Sequence, residues 1–281
     1  MELEALRERF FEGVSRYRYV ETLGRGRTGA VFKALDRDTG RILAIKVFAP
    51  RPGADYGELL ARFRLEVAIN LKIDHPAVAR AYGFGTVGTA PFIEMEYVPG
   101  RTLRAILDEE GAMGLEPACA AGIVRGASIG THAAHEAGIL HRDLKPSNLM
   151  VRESGAVSIL DLGFARDTSG PGITLDSQIL GSPQYLAPEV SRGEKASVES
   201  DVYSLGVIAF EAFTGHPPFL ADNPVALALK HVSERVPDDL SAVPDLPESV
   251  RDAVLRALAK APADRFRTAL AFADALVSAD S

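Results

Sequence analysis

The spacing of apolar positions changes repeatedly along the first third of the chain. Leu3, Leu6, Phe10 and Val14 recur at helical intervals and predict a short amphipathic helix over residues 2–14. From Tyr17 to Phe48 the pattern turns strand-like. "YRYVETLG" and "AVFKALD" alternate or cluster β-branched and aromatic residues, and a turn at Asp38-Thr39-Gly40 leads into "RILAIKVF". A helical stripe returns over 56–72 at Leu60, Phe63, Val67 and Leu71, followed by strand-like runs near Ala77–Tyr82 and Phe92–Tyr97. Beyond Pro99-Gly100 the pattern is mostly helical. The best segments are "LRAILDEE", "CAAGIVRGASIGTHAAHEAG", "DVYSLGVIAFEAF" and "SVRDAVLRALA". The expected class is α+β, with a small β-rich front and a larger α-rich back joined near 97–100.

Composition narrows this picture. The chain has 281 residues and a formal net charge of −7, which gives no electrostatic footprint for nucleic acid. A single cysteine, Cys119, excludes an intramolecular disulfide and fits a reducing compartment. Met1–Val14 is charged throughout rather than basic and then apolar, and apolar runs such as Val202–Phe210 fall short of the ~18 residues of a membrane span. The expectation is a cytoplasmic protein with no membrane segment.

Gly24, Gly26 and Gly29 in "LGRGRTGAVF" form G-x-G-x-x-G, a spacing that lets backbone approach phosphate. A dinucleotide-binding turn would lead straight into a helix, with an acidic residue about 20 positions on. Here strand chemistry follows, and Lys46 stands in "LAIKVF". That suits the phosphates of ATP better than a ribose diol, although an ordinary hairpin turn accounts for the glycines alone. Further on, "HRDLKPSN" places Asp143, Lys145 and Asn148 in one loop. Phosphoryl transfer to a hydroxyl uses a carboxylate to orient the alcohol and take its proton, a cation near the γ-phosphate, and an amide oxygen on metal. The loop supplies one of each, and Asp161 in "SILDLGF" adds a second metal-ligand candidate.

In this order the motifs resemble those of the eukaryotic-like (Hanks-type) protein kinases, especially the bacterial Ser/Thr kinases, from about Tyr19 to Leu276. The resemblance implies a bilobal fold: an extension at 1–16, an N-lobe at 17–95, a hinge at 96–99 and a C-lobe at 100–281. It implies ATP with Mg²⁺ (or Mn²⁺), protein Ser/Thr substrates and autophosphorylation, and it admits a regulatory homodimer. The alternatives are a catalytically silent pseudokinase scaffold and a small-molecule phosphotransferase.

By the same resemblance Leu23, Gly24, Gly26 and Gly29 belong to the flap over the nucleotide, Val31 packs on adenine, and Ala44 with Lys46 matches the family's A-x-K strand at the cofactor. Lys46 binds the α- and β-phosphates and pairs with Glu66, with Glu58 the fallback. Met95 is the gatekeeper, and Glu96 and Val98 offer hinge backbone. Asp143 is the catalytic base, Lys145 the γ-phosphate contact, and Asn148 and Asp161 the metal ligands. Arg142 meets an activation-loop phosphate, for which Thr174, then Ser177, Thr168 and Ser169, are the acceptors. Ser182 bonds the catalytic pair, Asp201 tethers the catalytic loop, and Glu189 pairs with Arg265. Departures from the family pattern include Leu162 in place of the usual phenylalanine after Asp161 and a flap tip of Arg27-Thr28; Ser182 stands where threonine is usual and keeps the hydroxyl.

Overall fold

Burial alternates strictly along Gly29–Asp36, and that alternation organises the first of two structural units. The computed structural model describes residues 3–26, 29–49, 64, 67–68, 70–110, 113–162 and 183–277. One unit comprises residues 1–75 and 79–98, the other 76–78 and 99–281.

In the first unit β1 (Tyr17–Gly26), β2 (Gly29–Asp36), β3 (Ile42–Phe48), β4 (Ala81–Val87) and β5 (Ala90–Glu96) form an antiparallel sheet in the order β1-β2-β3-β5-β4. Because side chains alternate across a strand, Ala30, Phe32, Ala34, Leu43, Ile45, Val47 and Phe92 share one face. The helix α1 (Leu3–Gly13) closes that face with Leu6 and Phe10. The Phe10 ring lies 5.0 Å from that of Phe92, and full burial of such a side chain stabilises by roughly 1.5–3 kcal/mol. Arg16 locks the join, donating to both carboxylate oxygens of Asp36 at 3.0 and 2.8 Å. That hydrogen-bonded pair holds the Asp36 carboxyl well below the usual carboxylate range. Leu6 and Phe10, within the segment expected as an extension at 1–16, lie in this unit's core. Val31, Lys33, Ala44, Lys46, Ile93 and Met95 alternate onto the opposite face. Within the predicted 56–72 helix, residues 64, 67, 68 and 70 are helical, and Val67 is fully buried.

The predicted strand Ala77–Tyr82 is corrected: β4 begins only at Ala81. Residues 76–78 belong to the second unit, where the Ala77 carbonyl accepts from the Ile159 amide at 2.8 Å and Val78 bridges Ile159. A continuous apolar run is divided here between two cores, which periodicity cannot show.

The second unit contains α2 (Leu103–Glu110), α3 (Pro117–Glu136), α4 (Pro188–Ser191), α5 (Val198–Thr214), α6 (Pro224–Ser233), α7 (Glu248–Ala257) and α8 (Ala269–Ala275). A small sheet, β6 (Arg101–Thr102), β7 (Leu149–Val151) and β8 (Val157–Ile159), completes it. Helix α5 is apolar around nearly its whole circumference, and Val202, Tyr203, Leu205, Val207, Ile208, Phe210 and Phe213 are all fully buried. Such a helix belongs at the centre of a core. Helix α3 seats closely because Gly130 has no side chain; a Cβ there would stand 2.4 Å from the Ala77 carbonyl oxygen. Among the described residues no helix is long and apolar enough to cross a membrane.

His231 on α6 is fully buried, with Nδ1 2.9 Å from the Tyr203 hydroxyl. Burial, with the charge of Lys260, holds its pKa down at about 4. Between pH 6.5 and 4 the unfolded chain takes up a proton that the folded protein refuses, so this contribution is complete above pH 6.5 and lost as pH falls. Denaturant titrations from pH 7 to 4 should show the wild type losing about 3 kcal/mol more stability than His231→Gln.

Candidate active site

Of the three glycines expected in the flap, Gly29 alone is demanded by its own backbone. Its φ is +151°, and a Cβ would lie 1.9 Å from the Val47 carbonyl oxygen. At Gly24 and Gly26 a Cβ would meet open space or a single atom at 3.9 Å, so these positions leave room above the strands. Leu23 lies exposed at a register shift between Thr22 and Gly24. Val31 pairs across the sheet with Lys46, Lys46 with Ile93, and Ala44 with Met95. Register and alternation thus put Val31, Ala44, Lys46 and Met95 on the face away from α1. Lys46 Nζ stands 5.4 Å from the Phe48 ring centroid. Glu96 ends β5 with its amide donating to the Arg80 carbonyl at 2.8 Å, and Val98 is buried. Glu66, Arg27, Thr28, Thr168, Ser169, Thr174, Ser177 and Ser182 lie outside the described residues.

The second unit holds Asp143, Lys145, Asn148 and Asp161, the residues expected to carry the chemistry. Lys145 Nζ is 3.0 Å from Asp143 Oδ2, and both side chains are about one-quarter exposed. Asn148 Nδ2 donates to the Asp143 carbonyl at 2.8 Å, which assigns the amide so that Oδ1 is available to a cation. The Leu160 amide donates to the Asn148 carbonyl at 2.8 Å, drawing Asp161 alongside. Asp161 and Arg142 both adopt left-handed backbone, with φ of +56° and +61°. Non-glycine residues hold that conformation only where the surroundings over-determine it.

Asp201, in the first turn of α5, supplies the constraint at Arg142. Its Oδ1 accepts from the Arg142 amide at 2.9 Å, and its Oδ2 from the His141 amide and from His135 Nε2, both at 2.8 Å. Burial pushes this carboxyl up, but those donors and the nearby imidazoles outweigh it and leave the pKa lowered. His141 is fully buried, and that burial lowers its pKa against the pull of Asp201 and Asp143. As a neutral ring it donates from Nε2 to the Leu160 carbonyl at 3.1 Å and accepts the Asp143 amide at Nδ1 at 3.3 Å. It therefore couples the Asp143 loop to the strand end that leads to Asp161.

Away from the reacting groups, Arg265 is fully buried and all five of its N–H donors are used. Nη1 and Nη2 reach the two oxygens of Glu189 at 2.8 Å each. The rest go to the carbonyls of Ala259, Glu199 and Lys260 at 2.7–3.0 Å. Sequence reasoning missed His135, the coupling role of His141, and the buried Glu211. The last accepts from the Tyr185 hydroxyl and Arg104, each at 2.6 Å. An acid inside the apolar run "GVIAFEAF" was the available signal for Glu211.

The family model described as "Protein kinase domain" matches residues 17–276. The chain belongs to the protein kinase domain family. It is 35% identical over 268 residues to the serine/threonine-protein kinase PknA of Mycobacterium tuberculosis, covering 94% of this chain and 61% of PknA. To PknB of Mycolicibacterium smegmatis it is 38% identical over 260 residues, covering 90% and 41%. The crystal structure of the Mycobacterium tuberculosis PknI kinase domain superposes with a TM-score of 0.72 at 27% identity, covering 94% of this chain and 97% of that one. The chain spans only about two-fifths to three-fifths of the length of these curated relatives. Its kinase fold is bilobal in class, with the five-stranded antiparallel sheet in one unit and most of the helices in the other.

Among the described residues no cluster of three or more His, Cys, Asp or Glu is built to hold a metal. One amide oxygen and one carboxylate, from Asn148 and Asp161, suit a hard divalent cation, which takes oxygen ligands. The residues present therefore fit the family's divalent ion.

Removing the arginine of the buried Glu189–Arg265 pair leaves an uncompensated buried carboxylate. Arg265→Ala should lower the unfolding free energy by about 3–5 kcal/mol in urea titrations. Arg265→Lys should recover only part of that loss, because an ammonium cannot reproduce the bidentate fork.

Proposed function

We propose that this kinase domain transfers the γ-phosphoryl group of ATP to serine or threonine hydroxyls of proteins. The observation that carries the reading is the Asp143–Lys145–Asn148 arrangement, fixed by bonds at 2.8–3.0 Å in a loop whose backbone Asp201 pins. The substrate hydroxyl hydrogen-bonds to Asp143, which takes its proton as the new O–P bond forms. The bond from phosphorus to the β-phosphate oxygen breaks, and ADP leaves with the electron pair. Lys145, beside Asp143, offsets charge on the transferring oxygens. Base assistance of this kind contributes about 10²–10⁴-fold, the remainder coming from positioning and charge neutralisation. Asn148 and Asp161 would hold Mg²⁺, or Mn²⁺, whose charge neutralises the phosphates when bound.

In the first unit, Leu23, Val31, Ala44 and Met95 pack on adenine, Glu96 and Val98 present backbone to it, and Lys46 meets the α- and β-phosphates with Glu66 as its partner. A silent scaffold is disfavoured because Lys46, Asp143, Asn148 and Asp161 are all present. Arg142 Nε is buried with no hydrogen-bond partner among the described residues. This supports a role in meeting a loop phosphate, principally on Thr174, with Ser177 next.

Incubation with labelled Mg-ATP and a generic protein substrate tests the reading. Wild type should label protein and carry phosphate at Thr174 by mass spectrometry, and Asp143→Asn should do neither at a comparable rate. Equal labelling by Asp143→Asn, or no protein labelling by wild type, contradicts it.

A further inference from the structure

Lys33 was given no role by the sequence motifs, yet it occupies a singular position in the sheet. The register pairs Glu21 with Lys33, Lys33 with Ala44, and Ala44 with Met95, so these four residues form one row across β1, β2, β3 and β5. The row lies on the face opposite α1, among the residues assigned to the nucleotide. From β2 the Lys33 ammonium reaches in both directions along it. Nζ is 2.9 Å from Glu21 Oε1 on β1 and 4.3 Å from the centroid of the Tyr97 ring, just past the end of β5.

Strands lie about 4.8 Å apart, so β2 and β5 are separated by about twice that distance with β3 between. Only a long side chain crosses that gap, and only over a small residue. Ala44 is the small residue in this row. A cation over an aromatic face is attracted by the ring quadrupole. The contact therefore ties the hairpin that carries Gly24, Gly26 and Gly29 directly to the segment that follows β5, without passing through β3.

We infer that Lys33 is a positioning residue for the nucleotide, a strut between Glu21 and Tyr97 that sets the separation between the glycine hairpin and the 96–98 backbone. The inference rests on the nucleotide reading above and goes beyond it. Glu21 is half exposed, and exposed ion pairs contribute little to global stability. The strut therefore acts on the geometry of the binding face rather than on folding. A nucleotide seated between hairpin and backbone meets a slot already at the right width, and loss of the strut lets the hairpin drift.

Equilibrium titration with Mg-ADP, alongside steady-state kinetics and thermal melting, tests this. Lys33→Ala should raise the ADP dissociation constant and the KM for ATP about 3–10-fold. It should leave kcat at saturating ATP and the melting temperature near wild type. Lys33→Arg should restore affinity, since a guanidinium both pairs with Glu21 and stacks on Tyr97. Lys33→Ala combined with Tyr97→Ala should bind no more weakly than Tyr97→Ala alone, because both remove the same contact. Wild-type affinity in Lys33→Ala, or additive effects in the double variant, overturns the strut while leaving the kinase reading intact. A fall in kcat and melting temperature without a change in ADP affinity also overturns it, showing a purely structural lysine. Failure of the wild type itself to bind ADP overturns the nucleotide reading instead.

Discussion

A carboxylate taken out of water must find donors or lose its charge, and the desolvation of one such ion costs several kcal/mol. Asp201 meets this demand at the first turn of the central helix. The positive end of the helix dipole lies there, and three N–H groups converge on its two oxygens. Two of those groups are the backbone amides of His141 and Arg142. The requirement that stabilises Asp201 therefore also fixes the loop in front of Asp143, including a left-handed Arg142 that would otherwise cost about 1–3 kcal/mol. The buried helix places the acid, the acid places the loop, and the loop places Asp143.

The same logic of saturated donors extends outward. Neutral His141, with one ring nitrogen donating and the other accepting, joins the Asp143 backbone to the carbonyl just before Asp161. Arg265 holds Glu189 with a bidentate fork and directs its other three donors to the Ala259, Glu199 and Lys260 carbonyls. Tyr185 and Arg104 do likewise for Glu211 on α5. In each case a buried polar group is held by a geometry that leaves little freedom to move, which is the pre-organisation that phosphoryl transfer requires.

Much of this was legible in the sequence, for local reasons. The alternation in "GAVFKALD" and the predominantly apolar "DVYSLGVIAF" point to a strand and a buried helix, and the loop "HRDLKPSN" carries its chemistry within eight residues. What was illegible depended on long-range placement. The run Ala77–Tyr82 divides between two cores because residues 76–78 pair with β8. The helix at the N-terminus is amphipathic on paper, but only the sheet shows that Phe10 completes the first unit. His135 is one of several polar residues on α3, and nothing local marks it as the one that meets Asp201. Lys33 reads as an ordinary polar strand position until the register sets it in line with Ala44.

Amide hydrogen exchange of His141 and Arg142 in the wild-type protein tests the claim about Asp201 most directly. Both amides lie in a loop, where exchange is ordinarily fast. If the buried carboxylate holds them, they exchange only through global unfolding, as slowly as the amides of α5. Exchange at the rate of an exposed loop, under conditions where α5 stays protected, would contradict the account.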